Sequence, residues 1–163
     1  MCYANDVVYK KSKENKALSE MGTTLDVCIM QSNKTFIGHI GDSRVYRIRD
    51  NFIRKLTTDH SYVENLIKDG TITKEESYTH PKKNMLTKAL GCEAAVEPDV
   101  YVKGLLKKDI ILMCSDGLTN LVSENEIYGM VRTDIEKAPT SLCSRANYYG
   151  GYDNITVVII DND

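Results

Sequence analysis

The chain has 163 residues, 42% hydrophobic and 27% charged, with a formal net charge of −2. That balance builds one apolar core and excludes an intrinsically disordered chain. A mildly acidic protein also lacks the basic footprint that non-specific nucleic-acid binding needs. The longest apolar runs, Ile110–Cys114 and Val157–Ile160, fall well short of the roughly 20 residues of a membrane helix. The first residues, Met1–Asp6, carry neither the basic nor the apolar segment of a signal peptide. The five cysteines are odd in number and contain no C-x-x-C pair, and Cys28 and Cys114 sit in apolar runs. This argues against a disulfide framework or a zinc ribbon and for a reducing, cytoplasmic setting. His39, His60 and His80 show no H-x-x-x-H spacing and read as surface or supporting side chains.

Residues 1–10 read as the last turns of a helix, and 11–22 as a loop. Thr23–Met30 is the first strand, with Leu25, Val27 and Ile29 on one side. A turn at Ser32-Asn33-Lys34 leads to a second strand, Thr35–Ile40, stopped by Gly41-Asp42-Ser43. Val45–Arg49 and Phe52–Leu56, joined at Asp50-Asn51, follow. The four strands read as one antiparallel meander. From Thr57 the chain turns polar, with a helix over Ser61–Lys68 closed by Gly70 and a helix start at Thr73-Lys74-Glu75-Glu76. An excursion this long on a compact domain has the character of a functional lid. Val100–Lys103 and the almost wholly apolar, hence central, Asp109–Cys114 are further strands. Ser123-Glu124-Asn125-Glu126 is a capping box opening a helix through Val131. A helix after Pro139 ends at Gly150-Gly151, and Thr156–Ile160 is the last strand. The sum is an α+β domain of antiparallel sheet with helices outside.

Three aspartates stand where an apolar strand meets a turn: Asp42, Asp116 and Asp153. Strand ends are rigid, and neighbouring glycines admit a close ligand. Carboxylates without His or Cys beside them suit Mg²⁺ or Mn²⁺ rather than structural zinc. Asp-Gly, Gly-Asp-Ser and Asp-Asn are equally ordinary turn chemistry, so composition alone leaves both readings open. Asp116 is the exception, because a helix cap rather than a strand follows its glycine. No P-loop and no G-x-S-x-G elbow occurs.

The surroundings of these aspartates resemble, in order, the metal-dependent protein phosphatases of type 2C. Met21-Gly22-Thr23-Thr24 resembles their M-G-T-T strand start, and Gly41-Asp42-Ser43-Arg44-Val45-Tyr46 their G-D-S-R-x-Y. Thr57-Thr58-Asp59-His60-Ser61 resembles T-x-D-H-S at the start of the flap, and Leu86–Gly91 resembles L-T-R-A-L-G at its far end. Cys114-Ser115-Asp116-Gly117-Leu118 resembles C-S-D-G-L, and Gly151-Tyr152-Asp153-Asn154-Ile155-Thr156-Val157-Val158 resembles G-x-D-N-I-T-V-V. The spelling is most similar to the bacterial branch.

The resemblance implies an antiparallel β-sandwich flanked by helices, a four-layer αββα arrangement, with residues 57–95 as the flap. It implies a serine/threonine protein phosphatase that hydrolyses phosphoserine and phosphothreonine by a metal-activated water. Asp116 and Asp153 would be the catalytic metal ligands of two core Mn²⁺ or Mg²⁺ ions, and Asp42 would hold a third ion. His60 and Ser61 are the flap residues offered for substrate binding. The partners implied are phosphoprotein targets of a bacterial serine/threonine kinase, with no nucleic acid and no membrane. The family's R-x-x-N-E-D strand and D-G-x-G-G motif do not occur in the chain. The expectation is therefore a partial domain, 1–163, lacking its N-terminal strands and metal motif. Such a chain would either self-associate through the open edge or be marginally stable, and would bind the core metals weakly. The alternative is a non-catalytic remnant or binding module that uses the fold without the chemistry.

Overall fold

The computed structural model describes all residues, 1–163. In chain order it contains α1 (Cys2–Glu14), β1 (Leu25–Gln31), β2 (Lys34–Ile40), β3 (Arg44–Arg49), β4 (Phe52–Lys55), α2 (Tyr62–Lys68) and α3 (Lys74–Ser77). It continues with β5 (Asp99–Gly104), β6 (Asp109–Cys114), α4 (Asp116–Thr119), α5 (Glu124–Thr133), α6 (Ala138–Tyr148) and β7 (Val157–Asn162). The chain divides into two compact units, one of residues 1–31, 35–42 and 58–103, the other of 32–34, 43–57 and 104–163. No helix is long and apolar enough to cross a membrane.

The first unit carries the sheet β1-β2-β5. Its helix α1 runs to Glu14 and a 3-10 turn follows at Lys16–Leu18, where the composition suggested a loop from residue 11. Lys11, Lys13 and Glu14 are good helix formers, and no Gly or Pro interrupts them. Lys11 and Lys13 in the last turn also oppose the negative end of the helix dipole. Asn15 then accepts a hydrogen bond from the Ala17 N–H at 2.9 Å and starts the new turn. In the flap, Ser61 accepts from the Glu64 N–H and caps α2, while Thr73 and Glu76 form a capping box for α3.

The second unit carries the sheet β4-β3-β6-β7. The expected four-strand meander is therefore corrected: β2 pairs with β1 and β5, while β3 pairs with β4 and β6. Short connections fix chain order but not pairing, because strand partners that arrive about 60 residues later compete for each edge. At the break, Gly41 adopts φ +114, and a side chain there would run into Thr24. β6 is central as expected, pairing antiparallel with β3 (Tyr46↔Leu112) and with β7 (Leu112↔Ile159).

One face of this sheet joins α4, α5 and α6 in an apolar cluster that includes Tyr46, Ile48, Leu112, Leu118, Ile127 and Leu142. Each such Leu or Ile contributes roughly 1.5–3 kcal/mol by leaving water. α5 begins with the anticipated capping box, Ser123 and Glu126 bonding each other's main-chain N–H. α6 ends at Gly150 and Gly151, with φ +125 and +55, conformations in which glycine meets no Cβ penalty. Toward the other end of β6, Arg49 donates from Nε and Nη2 to the two oxygens of Asp109, both at 2.6 Å. The Leu106 N–H adds a third bond at 2.7 Å. Burial pushes the Asp109 carboxyl up, but these donors prevail and hold it below the usual range.

Candidate functional site

In the second unit, Cys114 and Val157 are paired, so β6 ends where β7 begins. The loops beyond this pair are tied together by backbone and side chain. The Ser115 hydroxyl donates to the Asn154 carbonyl at 3.1 Å and accepts from the Thr156 N–H at 3.0 Å. The Ser115 N–H donates to the Thr156 carbonyl at 3.1 Å. Gly117 lies so close that a Cβ would run into the Asn154 carbonyl, so only glycine fits without movement. Asp116 and Asp153 thus stand on two adjacent loops at one end of the β6–β7 pair. Asp116 opens α4, a short helix that the sequence pattern did not reveal. One oxygen of each carboxylate is engaged: Asn120 Nδ2 donates to Asp116 Oδ2 at 3.1 Å, and the Asn154 N–H to Asp153 Oδ1 at 2.7 Å. The second of these is turn chemistry of the ordinary kind. Asp116 is half-buried and Asp153 exposed.

In the first unit, Asp42 follows β2 after one residue, Gly41, and is half-buried. Of the two flap residues offered for substrate, Ser61 is engaged through its hydroxyl and His60 through Nδ1. Ser61 is buried and caps α2. The His60 side chain is 11% exposed, its Nδ1 accepts from the Gly41 N–H at 3.0 Å, and its Nε2 lies 3.2 Å from Asp99 Oδ2. Asp99 also meets Lys88 Nζ at 2.9 Å and the Tyr101 hydroxyl at 3.3 Å. Burial raises the Asp99 carboxyl, but the Lys88 and His60 contacts outweigh it and hold the group at about 2. Burial lowers the His60 imidazole, and Asp99 only partly offsets this. A cavity of about 370 Å³ near the flap's far end is lined by Leu86, Thr87, Lys88, Cys92, Val96 and Glu97 among others.

A second histidine was not singled out by sequence. His39, fully buried in β2, donates from Nε2 to the Thr58 carbonyl at 3.0 Å, and its Nδ1 lies 2.6 Å from Asp26 Oδ1. The carbonyl can only accept, so Nε2 is the donor of that bond. The two imidazoles sit with centroids 4.7 Å apart. The available signal was Asp26 and His39 standing as polar residues inside otherwise apolar strands.

The donors suit a hard divalent cation in kind, since the three aspartates offer oxygen ligands only. They do not complete a coordination shell: no group of three or more His, Cys, Asp or Glu side chains is gathered to hold a metal ion.

The Protein phosphatase 2C family model matches residues 3–66. The serine/threonine phosphatase Stp of Listeria monocytogenes serotype 4b (strain F2365) is 44% identical over 160 residues, 96% of this chain and 62% of that protein. The Mycobacterium tuberculosis serine/threonine phosphatase PstP/Ppp superposes with TM-score 0.92 at 33% identity, covering 98% of this chain and 68% of that one. The catalytic domain of the serine threonine protein phosphatase PstP, solved in complex with two manganese ions, gives TM-score 0.87 at 32% identity, covering 98% and 67%. The chain spans about 62% of the length of the Listeria relatives it matches.

Proposed function

The chain belongs to the protein phosphatase 2C family, and we propose that it is the larger part of a metal-dependent phosphatase acting on phosphoserine and phosphothreonine in proteins. The observation that carries this reading is the Ser115–Asn154–Thr156 junction, which keeps the Asp116 and Asp153 loops adjacent. Asp116 and Asp153 are proposed as ligands of two core ions, Mn²⁺ or Mg²⁺, and Asp42 as the ligand of a third. When bound, such ions activate water and neutralise phosphoryl charge. The chain's own part is to hold the carboxylates. β6 and β7 set their height, Ser115 fixes the spacing of the loops, and Gly117 permits their approach. The substrates proposed are proteins phosphorylated by a serine/threonine kinase. Self-association is proposed through Ile29, Val100 and Val102, apolar residues that β1 and β5 leave exposed; a monomer at all concentrations in sedimentation would remove it.

The test is hydrolysis of p-nitrophenyl phosphate and a phosphothreonine peptide with Mn²⁺. It compares this chain with a chimera completed to full length by the part of the Listeria phosphatase that the chain does not span. Mn²⁺-dependent turnover of the chimera, lost at least about 100-fold on Asp116→Asn or Asp153→Asn, is expected for residues that hold the catalytic ions. Undiminished turnover in either variant removes that residue from the site. The second reading is a binding module that uses the fold without the chemistry. An inert chimera would support it.

A further inference from the structure

We propose that His60 is a positioning residue: it fixes the Gly41–Asp42 turn and ties that turn to both ends of the flap, and it does not meet substrate. Residue 60 holds both main-chain polar groups of Gly41. Its main-chain N–H donates to the Gly41 carbonyl at 2.8 Å, and its Nδ1 accepts from the Gly41 N–H at 3.0 Å. Its own carbonyl accepts from the Thr87 N–H at 2.8 Å, at the flap's far end. The ring's other nitrogen lies 3.2 Å from Asp99 Oδ2, an electrostatic contact without hydrogen-bond alignment. A donor at Nδ1 requires the neutral ring with its proton on Nε2, which faces Asp99, itself anchored by Lys88. His39 packs against the ring and bonds the Thr58 carbonyl at the flap's start.

Gly41 makes this arrangement matter. At φ +114 it occupies a region where glycine alone is unstrained, and an unrestrained glycine samples many conformations. One residue binds both main-chain polar groups of Gly41, and so constrains the direction in which Asp42 leaves β2. Thr58, His60, Thr87 and Lys88 all join this group, so displacement of the flap pulls on the same turn. That consequence for an ion at Asp42 rests on the reading of Asp42 as a ligand; the hold on Gly41 does not.

The experiment uses the ¹⁵N-labelled 163-residue chain as wild type, His60→Phe, His60→Asn and Asp42→Asn. Imidazole ¹⁵N shifts of wild-type His60 are expected to report the Nε2–H form. The Gly41 amide is expected to exchange about tenfold faster in His60→Phe, the scale of one lost hydrogen bond. In His60→Asn, whose side-chain oxygen can stand where Nδ1 stands, exchange should stay within about threefold of wild type. An Nδ1–H form, or unchanged Gly41 exchange in His60→Phe, overturns the proposal; the wild-type shifts decide it even if His60→Phe does not fold. Substoichiometric Mn²⁺ is expected to broaden the Asp42 amide in wild type and His60→Asn but not in Asp42→Asn. No broadening in wild type overturns Asp42 as a ligand, while the exchange and tautomer results still decide the role of His60.

Discussion

The two units bury different kinds of side chain. Fully buried apolar residues of the first unit are Ile37, Ile40 and Leu90, beside a larger set of buried polar ones: Asn5, Ser12, Thr35, His39, Asp59, Ser61 and Ser77. The second unit reverses this, with the whole cluster from Tyr46 to Ala146 apolar and only Thr57 and Asp109 polar. The second unit is held by area removed from water, which is tolerant of detail. The first is held by hydrogen bonds that stabilise only while each partner is satisfied, so its geometry is specified more narrowly. A unit latched in this way suits the flap and the Asp42 turn; one built on packing suits the rigid loops of Asp116 and Asp153.

The largest effect should come from the packed unit. Leu112→Ala, at the centre of β6, is expected to cost about 3–5 kcal/mol in urea unfolding. Asp109→Asn comes next, at roughly 3 kcal/mol, because it strips Arg49 of its bidentate partner while Arg49 keeps partial access to solvent. The sign of its pH dependence follows from the lowered Asp109 carboxyl. Its contribution is complete above the unfolded pKa of about 3.9 and is lost as pH falls through the lower folded value. Acid unfolding of Asp109→Asn should therefore be flatter than wild type below pH ~4. His39→Phe sharpens the comparison most directly. It adds apolar surface but leaves Asp26 and the Thr58 carbonyl without their imidazole partner, and should destabilise by about 1–3 kcal/mol. A neutral or stabilising result would place the first unit with the second, held by packing. The smallest effect is local: Ser123→Ala removes the α5 cap and should cost about 1 kcal/mol.

Much of the second unit could be read in advance. The unbroken apolar run Asp109–Cys114 announced a central strand, Ser-x-x-Glu announced α5, and Gly150-Gly151 announced the end of α6. These are local signals, and the structure kept each within a few residues. The meander failed because pairing is a long-range choice: nothing in Thr35–Arg49 says that β5 and β6 will compete for those edges. α4 was hidden because a four-residue helix has no period to detect. The Asp26–His39 and His60–Asp99 contacts were hidden because they join residues up to 39 positions apart whose spacing carries no pattern.

Residue order alone determined which segments extend, coil or turn, and it marked Asp42, Asp116 and Asp153 at strand ends, since propensity and turn chemistry act over a few neighbours. Only the tertiary structure decided which strands share a sheet, which loops meet at Ser115, and that His60 faces inward to Gly41. Those outcomes depend on competition among distant partners for the same hydrogen-bonding edge, and burial settles it.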